Sequence, residues 1–270
     1  MRPAFAAAGL ELTEIDWRAP IEAFDGIALV MLGTAWDYQD HPEDFIARLD
    51  ELAARGILVC NPTAAVRWNA DKRYLRELEA RGAVTVPTLW QEDCDRAGLV
   101  AAMDHFGTDR VVVKRQVGAG GLGQHSFTRE SLPAAEWRMG RACMVQPFLP
   151  GVVEEGEYTL VFVEGVFSHG VLKRAAQGEY RIQSLYGGYE CAYEPDPADL
   201  AAAQIVVDAL PFDDLLYARI DMVRLPSGQL AVMEAELIEP YLYPQQGSDL
   251  GKRLARAIVA RLKGGDGNGG

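Results

Sequence analysis

The stretch that most constrains this chain is Val111-Val-Val-Lys114 followed by Gly118-Ala-Gly-Gly-Leu-Gly123. Three consecutive valines read as a buried strand. Lys114 closes it, and a glycine-rich loop follows. Glycine permits positive φ and removes side-chain bulk, so backbone N–H groups can close on an oxyanion. A lysine beside such a loop points to phosphate. The spacing satisfies G-x-G-x-x-G, but a dinucleotide fingerprint needs a helix to open at its last glycine. Here Gln124-His-Ser-Phe-Thr128 reads as a second strand. A Walker loop ends in Gly-Lys-Ser/Thr, and none is present. Two readings remain: a glycine flap between antiparallel strands covering a triphosphate, or a glycine-rich hairpin with no ligand.

Composition narrows the partners. A chain of 270 residues can bury a sizeable core, as one large domain or two small ones. A net charge of −13 without a local basic patch argues against nucleic acid. Apolar runs such as Ile27 to Leu32 fall far short of the ~20 residues of a membrane helix, so no membrane partner is expected. Cys60, Cys94, Cys143 and Cys191 are scattered, with no C-x-x-C pair and no signal-peptide pattern, which predicts a reduced, cytoplasmic setting. His41, His105, His125 and His169 lack ligand spacing, which argues against zinc. His125, just past the flap, reads as an exposed strand histidine. Homodimerisation is left open.

Along the chain, Pro3 to Ala8 reads as the end of a helix stopped at Gly9, and Leu10 to Trp17 alternates like a strand. An α/β domain usually opens on a strand, so a leading strand is expected to be missing, or the sheet to start one strand short. Ile27 to Leu32 is a buried strand and Ile57 to Val59 a short one. Between them Pro42 to Arg55 carries Phe45, Leu49 and Leu52 on one helical stripe. Asp71 caps a helix to Arg81. This alternation predicts a parallel sheet with helices on both faces. The texture changes near Val86-Pro87. A helix over Cys94 to Phe106, the flap strands, a short helix at Pro133 to Trp137 and a strand at Ala142 to Gln146 follow. Tyr158 to Val163 and Val166 to Leu172 flank the two-residue turn Glu164-Gly165. Asp196-Pro197 starts a helix to Leu210, and Ala218 to Arg224 pairs with Leu230 to Glu236 across Pro226-Ser-Gly228. A final helix carries Leu250, Leu254, Ile258 and Leu262, ahead of a glycine-rich tail.

Chemistry concentrates on the last hairpin. Glu234 and Glu236 are two apart on a strand and share a face. Asp221 lies roughly opposite, while Ile220, Met222, Val232 and Met233 read as the apolar side. Carboxylates packed this closely repel unless a cation sits between them. Oxygen-only ligands select Mg²⁺ or Mn²⁺, typically shared with substrate phosphates; the bland alternative is a solvated acidic face. Gln146-Pro-Phe-Leu-Pro150 ends a strand in free backbone that can meet the edge of a planar base, with Phe148 or Leu149 on its face. Lys72, after Asn69-Ala-Asp71, reads alone as a solvated lysine. Lys173, Arg174, Arg181 and the Gly187-Gly188 loop could face an anionic substrate, though singly each reads as surface.

With these pieces in order, the chain resembles the ATP-grasp superfamily over nearly its whole length, near the glutathione synthetase and RimK-like ligases. The resemblance implies an α/β fold, α+β in the C-terminal part. A parallel pre-ATP-grasp domain (1–85, first strand missing) would precede an ATP-grasp domain (86–263) with a small lid subdomain (86–148) and a large one (149–263), ahead of a disordered tail (264–270). Lys72 and Lys114 look like the nucleotide lysines, and Gly118, Gly120, Gly121 and Gly123 like the phosphate-covering loop. Gln146, Phe148 and Leu149 are similar to the adenine hinge, and Glu157 to the acid that binds the ribose. Asp221, Glu234 and Glu236 look like the metal ligands; many relatives have asparagine at the last position. Arg181, with Lys114, is similar to the groups that act on the transferring phosphoryl group. Trp36, Lys173, Arg181, Gly187 and Gly188 fall where relatives meet substrate.

The implied activity is ATP- and Mg²⁺-dependent joining of a carboxylate to an amine, on amino-acid-like small molecules. A carboxylate is a poor acyl electrophile; phosphorylation gives it a leaving group that an amine displaces. Cations and metal would neutralise the triphosphate, and the flap would exclude water. The style of the chain also resembles a subgroup holding a cycloserine-forming cyclo-ligase, which implies an intramolecular alternative. A different-class alternative is an inactive nucleotide-binding regulator or scaffold.

Overall fold

The computed structural model describes residues 1–118, 123–176 and 187–265. Helix α1 (Arg2–Ala7) starts on a proline in its first turn and buries Phe5 against α8 (Leu250–Gly265). β1 (Leu29–Met31) pairs in parallel with β2 (Leu58–Cys60). Between them, α2 (Pro42–Ala54) begins at Pro42 with Glu43 and Asp44 in its first turn, where acids complement the helix dipole. Phe45, Leu49 and Leu52 are its buried stripe and join Val59, Leu32 and Tyr38 in one cluster. This fits the parallel α/β reading.

Leu10 to Trp17 is not a strand. Its alternating apolar residues serve two separate clusters, Leu10 and Leu12 beside α8, and Ile15 and Trp17 beside α2. Alternation there records packing without a pairing partner. Sequence reasoning also missed α3 (Thr63–Asn69), and placed the next helix too early. That helix, α4, spans Tyr74–Ala80, while Asp71 bonds the Arg73 amide at 2.9 Å and turns the chain before it.

The next layer is a four-stranded antiparallel sheet in the order β3-β6-β4-β5, built from β3 (Leu89–Gln91), β4 (Arg110–Arg115), β5 (His125–Thr128) and β6 (Cys143–Pro147). Helix α5 (Arg96–Phe106) covers one face. Asp95 caps it by accepting the Gly98 amide at 2.8 Å, and Gly107 ends it at φ 63°. Val111, Val113, Cys143 and Val145 pack on Leu99, Ala102 and Met103. By the two-residue period, Val112, Lys114, Met144 and Gln146 point the other way, in register with one another. The expected helix at Pro133–Trp137 is only a turn, closed by the Trp137 amide on Ala134 at 3.1 Å, with the indole packed on Phe127.

After α6 (Gly151–Glu154) comes the largest sheet, antiparallel, in the order β11-β10-β7-β8-β9. Its strands are β7 (Glu157–Val163), β8 (Val166–Arg174), β9 (Tyr189–Tyr193), β10 (Tyr217–Arg224) and β11 (Leu230–Glu236). α7 (Pro197–Asp208) is capped by Asp196, which accepts two amides. Tyr158, Leu160, Phe162, Ala218, Ile220, Met222 and Ala235 face α4 and α7 in the main core. The opposite face is divided. Val161, Val163 and Tyr217 pack under α1 and α8, and the far half carries charge. The α8 helix runs through Gly264 and Gly265 into the expected tail.

Candidate active site

Register brings the predicted carboxylates together. Asp221 of β10 stands opposite Glu234 of β11, and Arg219 opposite Glu236. Asp221 also faces Thr159 of β7, and Glu157 faces Lys173 of β8. All point to the half of one face that α1 and α8 leave free, and most are buried there. A bulge at Met233, the residue left out between the Asp221–Glu234 and Met222–Val232 pairs, sets where Glu234 emerges. The outer edge of β11 is tied down. Asn69 donates to the Ala235 carbonyl at 2.7 Å and accepts the Leu237 amide at 2.9 Å, while the Ala235 amide donates to the Tyr74 hydroxyl at 3.0 Å. The backbone on both sides of Glu236 is thereby fixed.

The counter-charge differs from the sequence expectation. Asp221 accepts from Arg219 Nη2 at 2.8 Å and from Thr159 at 2.5 Å, with Lys173 Nζ at 3.2 Å. Arg219 also pairs with Glu236, and Lys173 with Glu157. Glu234 pairs with Lys72 at 2.5 Å. Protein cations therefore already separate the acids, and no group of three or more His, Cys, Asp or Glu among the described residues is placed to hold a metal by itself. The oxygen-only set still suits a hard cation that would arrive with phosphate oxygens and draw Lys72 onto the phosphates. Burial works against ionisation of Asp221, but Arg219 and Lys173 outweigh it and hold its carboxyl well below the usual range. Burial pushes Glu236 up to about 7, against the pull of Arg219. Burial likewise raises Glu157, against the pull of Lys173, with which it is ion-paired.

Opposite this face lies the smaller sheet. Lys72 Nζ also donates to the Gly118 carbonyl at 2.6 Å, and its own amide donates to the Gln116 carbonyl at 3.0 Å. The Gln116 amide side chain bonds Asp71 at 3.0 Å. The segment 69–72, expected as a solvated helix start when read alone, thus bridges both layers. The Lys114 ammonium makes no hydrogen bond among the described residues. Burial lowers its pKa, while Glu234 and Glu157 pull it back up. Gly118 and Gly123 flank the loop at φ 151° and 70°; Gly120 and Gly121 lie outside the described residues, as does Arg181.

At the hinge, Gln146 is buried and its side chain donates to Thr88 at 2.8 Å, so the amide braces the strand end. Phe148 lies under the Arg110 guanidinium at 3.6 Å, and Leu149 joins Val86 and Val223. Gly187, at φ 82°, and Gly188 lead into β9, next to Lys173 of β8 across the Lys173–Glu190 pair. Trp36, more than half exposed, donates its indole N–H to the Glu239 carbonyl at 3.3 Å, which brings the loop after β1 to the acidic face. His125 packs between Phe127 and Trp137. Sequence reasoning missed Arg219, Thr159, Asn69 as a strand clamp, and Glu239. Arg219 was findable: it is two residues from Asp221 and must share its face.

The N-terminal residues 1–61 match a family model described as the N-terminal domain of D-cycloserine synthetase DcsG. The cycloserine biosynthesis protein DcsG of Streptomyces lavendulae is 28% identical over 94% of this chain and 90% of its own. A crystal structure of D-cycloserine synthetase DcsG superposes with a TM-score of 0.84 at 25% identity, covering 96% of this chain and 92% of that one. The ATP-grasp ligase PsnB, solved with Mg and ADP, superposes at 0.61 with 16% identity, covering 87% and 79%. That last likeness concerns the fold alone. With 94% of the chain covered by the DcsG relative and 96% by the DcsG crystal structure, the chain is similar to DcsG over nearly its whole length, and its fold is that of the ATP-grasp ligases.

Proposed function

We propose that the protein is an ATP- and Mg²⁺-dependent ligase that joins a carboxylate to an amine-type nucleophile on amino-acid-like small molecules. One observation carries this reading: Lys72 stands between Glu234 of the large sheet and the Gly118 carbonyl of the flap strand. Cation and acid from two layers meet where a polyphosphate can be gripped. The division into 1–85, 86–148 and 149–263 belongs to the same proposal, and the four-stranded and five-stranded sheets fall within the second and third segments.

When bound, Mg²⁺ would supply charge neutralisation for the triphosphate and the transferring group. Asp221, Glu234 and Glu236 would hold it. Lys72 and Lys114 would set fixed positive charge where the phosphoryl transfer spreads negative charge. Arg219 and Lys173, locked by their acids, would keep that face ordered without reorganisation. Loops around the Gly118–Gly123 segment and Trp36 would exclude water from the acylphosphate that the amine attacks. No side chain forms a covalent bond to substrate in this scheme.

The test is ADP release with a panel of amino acids and small carboxylates. Substrate-dependent release is expected, and Glu234→Gln should reduce it by at least about 100-fold, as for loss of one preorganised electrostatic group. Near-normal turnover in Glu234→Gln would remove the metal assignment. Tight nucleotide binding without turnover on any substrate would favour a regulatory or scaffold role. A second reading, intramolecular cyclisation, is favoured by the match of residues 1–61 to the DcsG N-terminal model. A product formed from one substrate, with no second one consumed, separates the two.

A further inference from the structure

Glu239 lies three positions beyond Glu236 and is only 7% exposed. Its neighbours come from the first domain. The Trp36 indole is pinned to the Glu239 carbonyl. Tyr38, on the same loop, is buried where Glu239, Glu234 and Glu236 all act on its phenol. The Glu239 carboxylate accepts its own backbone amide, but among the described residues no side chain bonds or ion-pairs with it. Arg219, the cation whose field reaches it, is committed to Asp221 and Glu236. A buried carboxylate without its own counter-charge is costly, so its retention at the mouth of a site calls for a ligand that brings the charge.

Two kinds of ligand could do so. A divalent ion needs several oxygen donors, and among the described residues Glu239 belongs to no group of three acids placed to hold one by itself. A primary ammonium needs a single carboxylate and sits readily beside aromatic rings. Trp36 and Tyr38 provide those rings, and Trp36 remains open to incoming ligand. We propose that Glu239 is the specificity-determining acceptor for the ammonium group of an amino-acid-type substrate, held between the Trp36–Tyr38 loop and the acidic sheet face. The substrate's reacting end would then point along the face toward Glu236 and Glu234. This assignment rests on the ligase reading for its place in a reaction, but not for its binding test.

The test uses the full chain with Mg²⁺ and a non-hydrolysable ATP analogue. D- and L-serine and D- and L-alanine are compared by calorimetric titration with their 2-hydroxy counterparts, D- and L-glycerate and lactate. At least one amino acid should bind at least ten-fold more tightly than its hydroxy match. Glu239→Gln should abolish that preference without lowering the melting temperature or the affinity for the ATP analogue. Glu239→Asp, which keeps the charge, should retain part of it and stands in if the glutamine variant does not fold. Equal binding of amino and hydroxy acids, binding of neither, or a preference that persists in Glu239→Gln would overturn the assignment. ADP release on the same pairs reports separately on the ligase reading: preference without turnover removes the ligase and keeps the ammonium site, and turnover without preference does the reverse.

Discussion

Arg219 bridges two carboxylates from a buried position, and its loss would leave both uncompensated. Breaking such a set from one side costs about 3–5 kcal/mol. Arg219→Met is therefore expected to lower the urea-unfolding free energy by that order and to silence ADP release. Arg219→Lys should recover part of the stability, since it keeps charge but cannot span two acids with a planar fork. Glu239 gives a pH signature. Burial, with Glu236 and Glu234 adding repulsion, pushes its carboxyl up to about 8. The unfolded chain releases this proton near an ordinary glutamate value of about 4.3. Between those values the native state binds the extra proton, so stability contributed by this group falls as pH rises. The urea midpoint of the ligand-free protein should drop between pH 5.5 and 8.5, and Glu239→Gln should shrink the drop.

At the scale of elements, the β10–β11 hairpin was legible because three signals agreed: a two-residue period, β-branched content, and a Pro-Ser-Gly turn. The β7–β8 hairpin was legible for the same reasons, and its turn residues Glu164 and Gly165 do take positive φ, at 50° and 73°. Helix α5 was found to within two residues because an aspartate cap and a terminal glycine bracket it. The short elements β3, β9 and α3 were not legible, since three to seven residues carry too little pattern to outweigh a loop reading. Nor could local pattern show Asn69 clamping β11, because the partners are 166 and 168 positions away. Asn69→Ala should cost about 2 kcal/mol for two buried hydrogen bonds. It should also raise the Mg²⁺ concentration needed for half-maximal turnover, because the backbone that aims Glu234 and Glu236 is loosened.

For the molecule as a whole, the fold places its charge between a five-stranded and a four-stranded sheet, where the sequence resemblance implied a lid and a large subdomain. What it did not predict is how fully the acids are matched by Arg219, Lys173 and Lys72. Counting carboxylates on one hairpin ignores the cations that other strands deliver to the same face. Lys114 is the exception, a lysine in the smaller sheet with burial against its charge and no hydrogen bond to its ammonium among the described residues. Lys114→Ala is expected to leave the ligand-free melting temperature unchanged or slightly raised, because an unfavourable burial is relieved. It should remove most of the thermal upshift produced by MgATP, since ligand stabilisation follows affinity. An unchanged upshift in a melting assay would count against contact between Lys114 and nucleotide. The bond network around Lys72 has a further consequence. Its ammonium is already occupied on both sides, so nucleotide entry is an exchange of partners rather than an addition, and the measured affinity is a difference between two sets of salt bridges. A tighter grip in the empty protein would weaken binding, and any change that loosens Glu234 or the Gly118 carbonyl would free Lys72 for the incoming phosphate.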